Sequence, residues 1–136
     1  STLMRSSAAS DVYKRQKLDN ALITNVSLSY GDYCCLTLDI TLKGDGWGCV
    51  YGGYCLGNIY PDSYDKDSYE GSAAGMEVIM RIMDIVGVSR LEDMKGKYVR
   101  VATKKWGDTV KIIGNIIKDR WFDYQSFYAD KKEESK

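Results

Sequence analysis

A cluster of flat rings set among glycines is the stretch of this sequence best suited to chemistry. Lys43–Gly57 reads KGDGWGCVYGGYCLG, with six glycines around Trp47, Tyr51 and Tyr54. Glycine weakens a strand, so this density demands bulges, φ > 0 turns or close approach of a backbone or ligand. Rings beside exposed backbone N–H groups suit a planar, polar small molecule. The same pattern also builds a strongly twisted hairpin whose rings only pack. A nucleotide-like ligand needs a flat face for its base and N–H, Arg or Lys donors for its phosphates. The sequence offers Trp47, Tyr51, Tyr54 and Trp106 for the first. It offers Arg90, Arg100, Lys104, Lys105, Lys118 and Arg120 for the second. Trp106, between Lys105 and Gly107 at the tip of an expected hairpin, reads as a contact surface. Asn115, beside Gly114, reads either as a partner for a base or hydroxyl or as a cap on its own strand.

Catalytic chemistry finds little support. The chain has no histidine, which excludes hydrolytic triads and imidazole relays. It has no phosphate-binding G-x-x-x-x-G-K-[ST] loop, no G-x-G-x-x-G and no G-x-S-x-G elbow. Glu92 and Asp93 are adjacent, so on a helical turn they diverge and form no carboxylate dyad. The four cysteines, Cys34, Cys35, Cys49 and Cys55, lack C-x-x-C spacing, which argues against a structural zinc site. Cys34 and Cys35 read as small hydrophobes in a reducing cytoplasm. No catalytic residue, metal or cofactor is expected. Net charge is zero, which disfavours duplex nucleic acid as a partner. It is unevenly spread: Gly87–Trp121 holds nine Lys/Arg against four Asp/Glu, and Tyr60–Glu77 holds one Lys against five acids. A small anion held by a few cations fits that distribution.

The elements that must position these residues follow from periodicity. Ser1–Gln16 has no sustained apolar period and reads as a non-native tail of metagenomic origin, with a disordered arm as the alternative. Residues 17–129 read as one ligand-binding domain, and residues 130–136 as a charged, fraying tail. Ala21–Tyr30 alternates, with Leu22, Thr24, Val26, Leu28 and Tyr30 on one face. Cys34–Lys43 alternates with Leu36, Leu38, Ile40 and Leu42 inward, giving a hairpin. A turn at Gly44–Gly46 leads to a third strand through Gly48–Leu56. Asn58–Gly71 is a Tyr-rich acidic loop, either a lid or a solvated surface loop. Ser72–Val86 is the main helix, N-capped by Ser72 and ended by Gly87. Its expected apolar stripe is Met76, Ile79, Ile82, Met83 and Val86, with Met80 at the edge; Glu77 and Arg81 are spaced for an i,i+4 pair. A short helical turn at Ser89–Lys95, a hairpin of Lys97–Thr103 with Thr109–Ile117 (Gly114 as a bulge) and a short helix begun by Asp123 complete the chain. No apolar run is long enough to span a membrane. The class is α+β: an antiparallel sheet of order β-β-β-α-β-β, one main helix on a face and a short C-terminal helix.

Four segments in one order, GDGWGCVYGGYCLG, GSAAGMEVIMRIMDIVGV, LEDMKGKYVRV and IIGNIIKDRWFD, resemble the phage Thoeris anti-defence (Tad) proteins of the first-described type. The resemblance covers roughly residues 17–128. It implies an immune-evasion sponge acting in the host bacterial cytoplasm. Such proteins bind cyclic ADP-ribose-type signals such as glycocyclic ADP-ribose and sequester them uncleaved. Some also capture cyclic di- or trinucleotides of CBASS defence at a separate site. It further implies a homo-oligomer, a dimer or hexamer, and nanomolar affinity, about −12 kcal/mol. The matched motifs together with residue chemistry give Trp47, Tyr51, Tyr54, Met80, Arg90, Arg100, Lys104, Trp106, Thr109 and Asn115 as ligand-binding candidates, Arg100 and Lys104 toward phosphate. Leu91 departs from the pattern, where an aromatic is expected, and this puts base recognition in doubt. Two other functions remain open on the residues alone: an enzyme that degrades a nucleotide signal, and a protein-binding inhibitor of a host defence factor.

Overall fold

The computed structural model describes residues 16–31, 35–59, 67–105, 107 and 109–134. Its centre is an antiparallel sheet of seven strands: β1 (Lys17–Tyr30), β2 (Cys35–Gly44), β3 (Trp47–Ile59), β4 (Tyr69–Gly71), β5 (Tyr98–Thr103), β6 (Ile112–Asn115) and β7 (Trp121–Asp123). Their order across the sheet is β4-β3-β2-β1-β5-β6-β7. Helix α1 (Ala73–Val86), a 3-10 turn (Leu91–Met94) and helix α2 (Tyr124–Glu134) complete it. The α+β class and the antiparallel sheet agree with the sequence reading. Two three-residue strands, β4 and β7, were not expected; such short segments become strands only by pairing with β3 and β6.

Long β1 runs through the middle. Its first part, Lys17–Leu22, pairs with β5, and its second part, Leu22–Tyr30, pairs with β2. A bulge at Thr24, between the Ile23–Leu42 and Asn25–Thr41 pairs, switches the inward face. Ala21 and Ile23 are therefore core residues, each 1% exposed. This corrects the expected uniform alternation, which had placed Leu22 inward. Past the bulge Val26 packs on the core, while Leu28 and Tyr30 run beyond its cover and are exposed. In β2, Leu38, Ile40 and Leu42 are buried as expected.

Helix α1 is capped as its sequence dictates. The Ser72 hydroxyl accepts a hydrogen bond from the Gly75 N–H at 3.0 Å, and Gly87 closes the helix at φ 88° with its N–H donated to the Met83 carbonyl. The buried stripe is Gly75, Val78, Ile82 and Ile85, rotated from the expected one. Met76 and Met80 lie on the outer side, 60% and 63% exposed. Glu77 and Arg81 form the expected pair at 2.7 Å, and Lys131 of α2 joins it at 3.2 Å.

The C-terminal half differs from expectation in three places. Strand β6 ends at Asn115, because the Asn115 side-chain oxygen accepts from the N–H groups of Ile117 and Lys118 and turns the chain. Gly114 is no bulge; it pairs in register with Arg100 and Trp121, and a Cβ there would collide with the Trp121 ring. The last helix continues to Glu134 rather than fraying from Ala129. Asp123 does begin it, accepting from the N–H groups of Gln125 and Ser126. The α2 rings of Tyr124, Phe127 and Tyr128 pack onto the core. No helix among the described residues is long and apolar enough to cross a membrane.

Candidate functional site

The sheet opens at one end. Strand β1 stays paired to β5 down to Lys17, but its pairing with β2 stops at Leu22–Lys43. Into the space beside Lys17–Ala21 comes the glycine-rich turn. Asp45 and Gly46 reverse the chain, with Gly46 at φ 77°, and Trp47 begins β3. The Trp47 indole folds over Gly44, where any Cβ would collide with it. Its Nε1–H donates to the Asp19 carboxylate at 2.6 Å. A bare glycine beneath the ring and a charged acceptor at its edge thus fix the indole in one orientation.

Between this turn and the β5–β6 connection lies a cleft of about 400 Å³, within the range of small-molecule sites. Lys17, Asp19, Trp47, Cys49, Val101, Thr103, Thr109 and Val110 line it. Its chemistry is mixed. Trp47 supplies a flat wall, Val101 and Val110 an apolar one, and Asp19, Thr103 and Thr109 supply hydrogen-bonding groups. Lys17, Lys104 and Lys105 are exposed, the last two following directly on Thr103. Burial pushes the Cys49 thiol up from its ordinary value of 9.0, which is the wrong direction for a nucleophile. A broader depression of about 540 Å³, over Thr24, Thr41, Lys43 and Val50, adjoins the same turn. Among the described residues no group of three or more His, Cys, Asp or Glu could hold a metal ion.

The residues expected to bind ligand are only partly brought together. Trp47 and Thr109 line the cleft, and Lys104 stands next to lining Thr103. Trp106 lies outside the described residues. Tyr51 does not reach the cleft. It is 1% exposed, its ring edge-on to Tyr124 at 5.3 Å. Tyr54 is packed against Tyr124 and Tyr128 at 4.9 and 5.5 Å. Burial, then Tyr128 and Tyr124, push its hydroxyl well above the ordinary value of 10.0. Tyr51 is core and the partly buried Tyr54 packs against it, and neither lines the cleft, which corrects their reading as ligand contacts. Met80 lies on the outer side of α1. Arg90 is exposed and paired with Glu92 at 3.3 Å. Arg100 stacks over the Trp121 ring at 4.6 Å and donates to the carbonyls of Asn115 and Lys118, both at 2.7 Å. Asn115 donates to the Ile85 carbonyl at 2.8 Å while capping its own turn. Arg100 and Asn115 thus tie β6 to its neighbours, and neither lines the cleft.

The sequence reading missed Lys17, Asp19, Val101, Thr103 and Val110 as lining residues. Asp19 carried a usable signal. Alternation counted back from Ile23 through Ala21 points Asp19 inward, whereas a strand that begins at Ala21 with Leu22 inward leaves it out. The cysteines also differ from expectation. Cys35 on β2 and Cys55 on β3 lie with their Cα atoms 5.7 Å apart, within reach of a disulfide; Cys34 lies outside the described residues. No family model and no curated protein sequence matches this chain.

Proposed function

We propose that this protein binds and sequesters small cyclic nucleotide signals of the cyclic ADP-ribose type, glycocyclic ADP-ribose foremost, without cleaving them. The setting is phage anti-defence in the cytoplasm of a bacterial host, as the motif resemblance implies. One observation carries the reading: the glycine-rich turn and the β5–β6 connection face each other across a cleft whose indole wall is already held in place by Asp19. A pre-set wall favours tight binding, because little ordering remains to be done when ligand enters. The lining supplies hydrogen bonds and flat surface, while its one thiol is held protonated by burial. Binding without turnover is the chemistry such a lining favours. A second copy of the chain closing over the cleft would enclose the ligand further, so a dimer or hexamer belongs to the proposal. Cyclic di- and trinucleotides of CBASS defence are further ligands to be tested.

The test is capture and release. The protein is incubated with glycocyclic ADP-ribose, freed of unbound ligand by gel filtration, and heat-denatured. Chromatography of the supernatant is expected to return the intact ring in stoichiometric amount. Recovery of a linear product would make the protein an enzyme, and recovery of nothing would overturn the proposal. A parallel arm with a cyclic trinucleotide asks whether a second ligand class binds.

A further inference from the structure

We infer that the Asp19–Trp47 end of the cleft takes the hydroxyl-bearing, ribosyl part of the ligand and turns its phosphates away from that carboxylate. The inference rests on the nucleotide reading above and sharpens it. Three observations support it. First, the polar group beside the indole is a carboxylate, and a carboxylate repels phosphate while accepting strongly from hydroxyl groups. Second, Asp19 keeps acceptor capacity. Its Oδ2 accepts from Trp47 at 2.6 Å and its Oδ1 from the Asn20 N–H at 2.9 Å. An ionised carboxylate has about four lone-pair sites. Third, the other polar side chains lining the cleft are the hydroxyls of Thr103 and Thr109 and the exposed cation Lys17. Donors and acceptors suited to a vicinal diol therefore line the cleft with Asp19, and among the described residues its one cationic side chain is the exposed Lys17. The indole face then packs on the sugar ring's C–H surface or on a base beyond it.

Asp19 thereby has two roles. It orients Trp47, and it reads a diol. Asp19→Asn separates them, since the amide carbonyl still accepts from the indole N–H while the second oxygen becomes a donor. The experiment follows the Trp47 indole N–H resonance, assigned by its loss in W47F, in the full chain. Methyl β-D-ribofuranoside, its 2-deoxy analogue and inorganic pyrophosphate are titrated separately into wild type and D19N. The ribofuranoside is expected to move the Trp47 resonance saturably in wild type. D19N is expected to melt close to wild type and to bind the ribofuranoside about tenfold more weakly, as loss of a hydrogen bond to a charged group implies. Pyrophosphate is expected to leave the Trp47 resonance unmoved. Should D19N fail to fold, the 2-deoxy analogue in wild type makes the same test, with a severalfold weaker response expected. A wild-type Trp47 resonance that ignores the ribofuranoside overturns the inference, as does one that follows pyrophosphate instead. Equal responses of folded D19N and wild type, or of the two sugars, also overturn it. These outcomes differ from failure of the sponge reading, which shows as empty capture and release while the sugar response persists.

Discussion

Trp47 and Tyr54 stand on the same face of one strand, seven residues apart, and serve opposite ends of the molecule. Trp47 meets a carboxylate and an open cleft. Tyr54, with Tyr51, meets the rings of Tyr124 and Tyr128 from α2. Both ends use glycine, for different reasons. Gly44 is bare so that an indole can lie over it, whereas Gly52, at φ 117°, bends β3 at a bulge where a Cβ would collide with the Leu38 carbonyl. The difference teaches that a ring among glycines does not announce its role. What decides is whether another element covers it: α2 covers the tyrosine end, and nothing among the described residues fills the cleft at the tryptophan end.

That contrast is open to direct attack. The largest effect is expected at the covered end. Tyr51→Ala removes a fully buried ring and should cost about 3–5 kcal/mol in chemical denaturation; a loss below 1 kcal/mol would mean that the ring is not core. Gly52→Ala forces a side chain into a left-handed backbone against a carbonyl and should cost about 1–3 kcal/mol, measured in the same way. At the open end the signature reverses. Trp47→Phe should lower stability by less than about 1.5 kcal/mol and weaken ligand capture by about tenfold, or 1.4 kcal/mol. If it destabilises as much as Tyr51→Ala without touching capture, the two ends are alike and the comparison fails.

Titration probes the same contrast more gently. The raised Tyr54 hydroxyl favours the neutral form in the folded state. Its contribution to stability is therefore fully present below the unfolded value near 10 and is lost as pH rises from there toward the folded value. Denaturation midpoints should fall above pH 10, and less steeply in Tyr54→Phe. The smallest effect belongs to the surface strap between the helices. Arg81 foremost, with Lys131, holds the Glu77 carboxyl below its ordinary 4.5. Here the folded value is depressed, so the contribution is present above the unfolded value and is lost as pH falls through the folded one. Because the pair is solvent-exposed, Glu77→Gln should cost only a few tenths of a kcal/mol at pH 7, with the difference from wild type vanishing in acid.

Much of the scaffold was legible in the residues. Alternation in Leu36–Leu42 and in Val99–Val101 located strands, because one face of each is buried and the other is not. Ser72 and Gly87 marked the ends of α1, because capping is a local matter. The candidate site was less legible. Trp47 and Thr109 could be named from chemistry, whereas Asp19 emerges only when alternation is carried back from Ile23 through Ala21, a phase that the bulge at Thr24 hides from the residues after it. Arg100 and Asn115 looked available from their types alone. Carbonyls and rings close only in the folded sheet had already engaged them.

The sequence by itself determined the class of fold and the ends of the main helix, and it lacks histidine, the commonest general base. It also placed a tryptophan on a glycine-rich turn. Only the tertiary structure decided which rings became core and which became wall. Burial depends on what a distant element covers. Here α2, more than sixty residues away from Tyr51 and Tyr54 along the chain, covers the tyrosines, while β1 brings Asp19 to the tryptophan from the other direction.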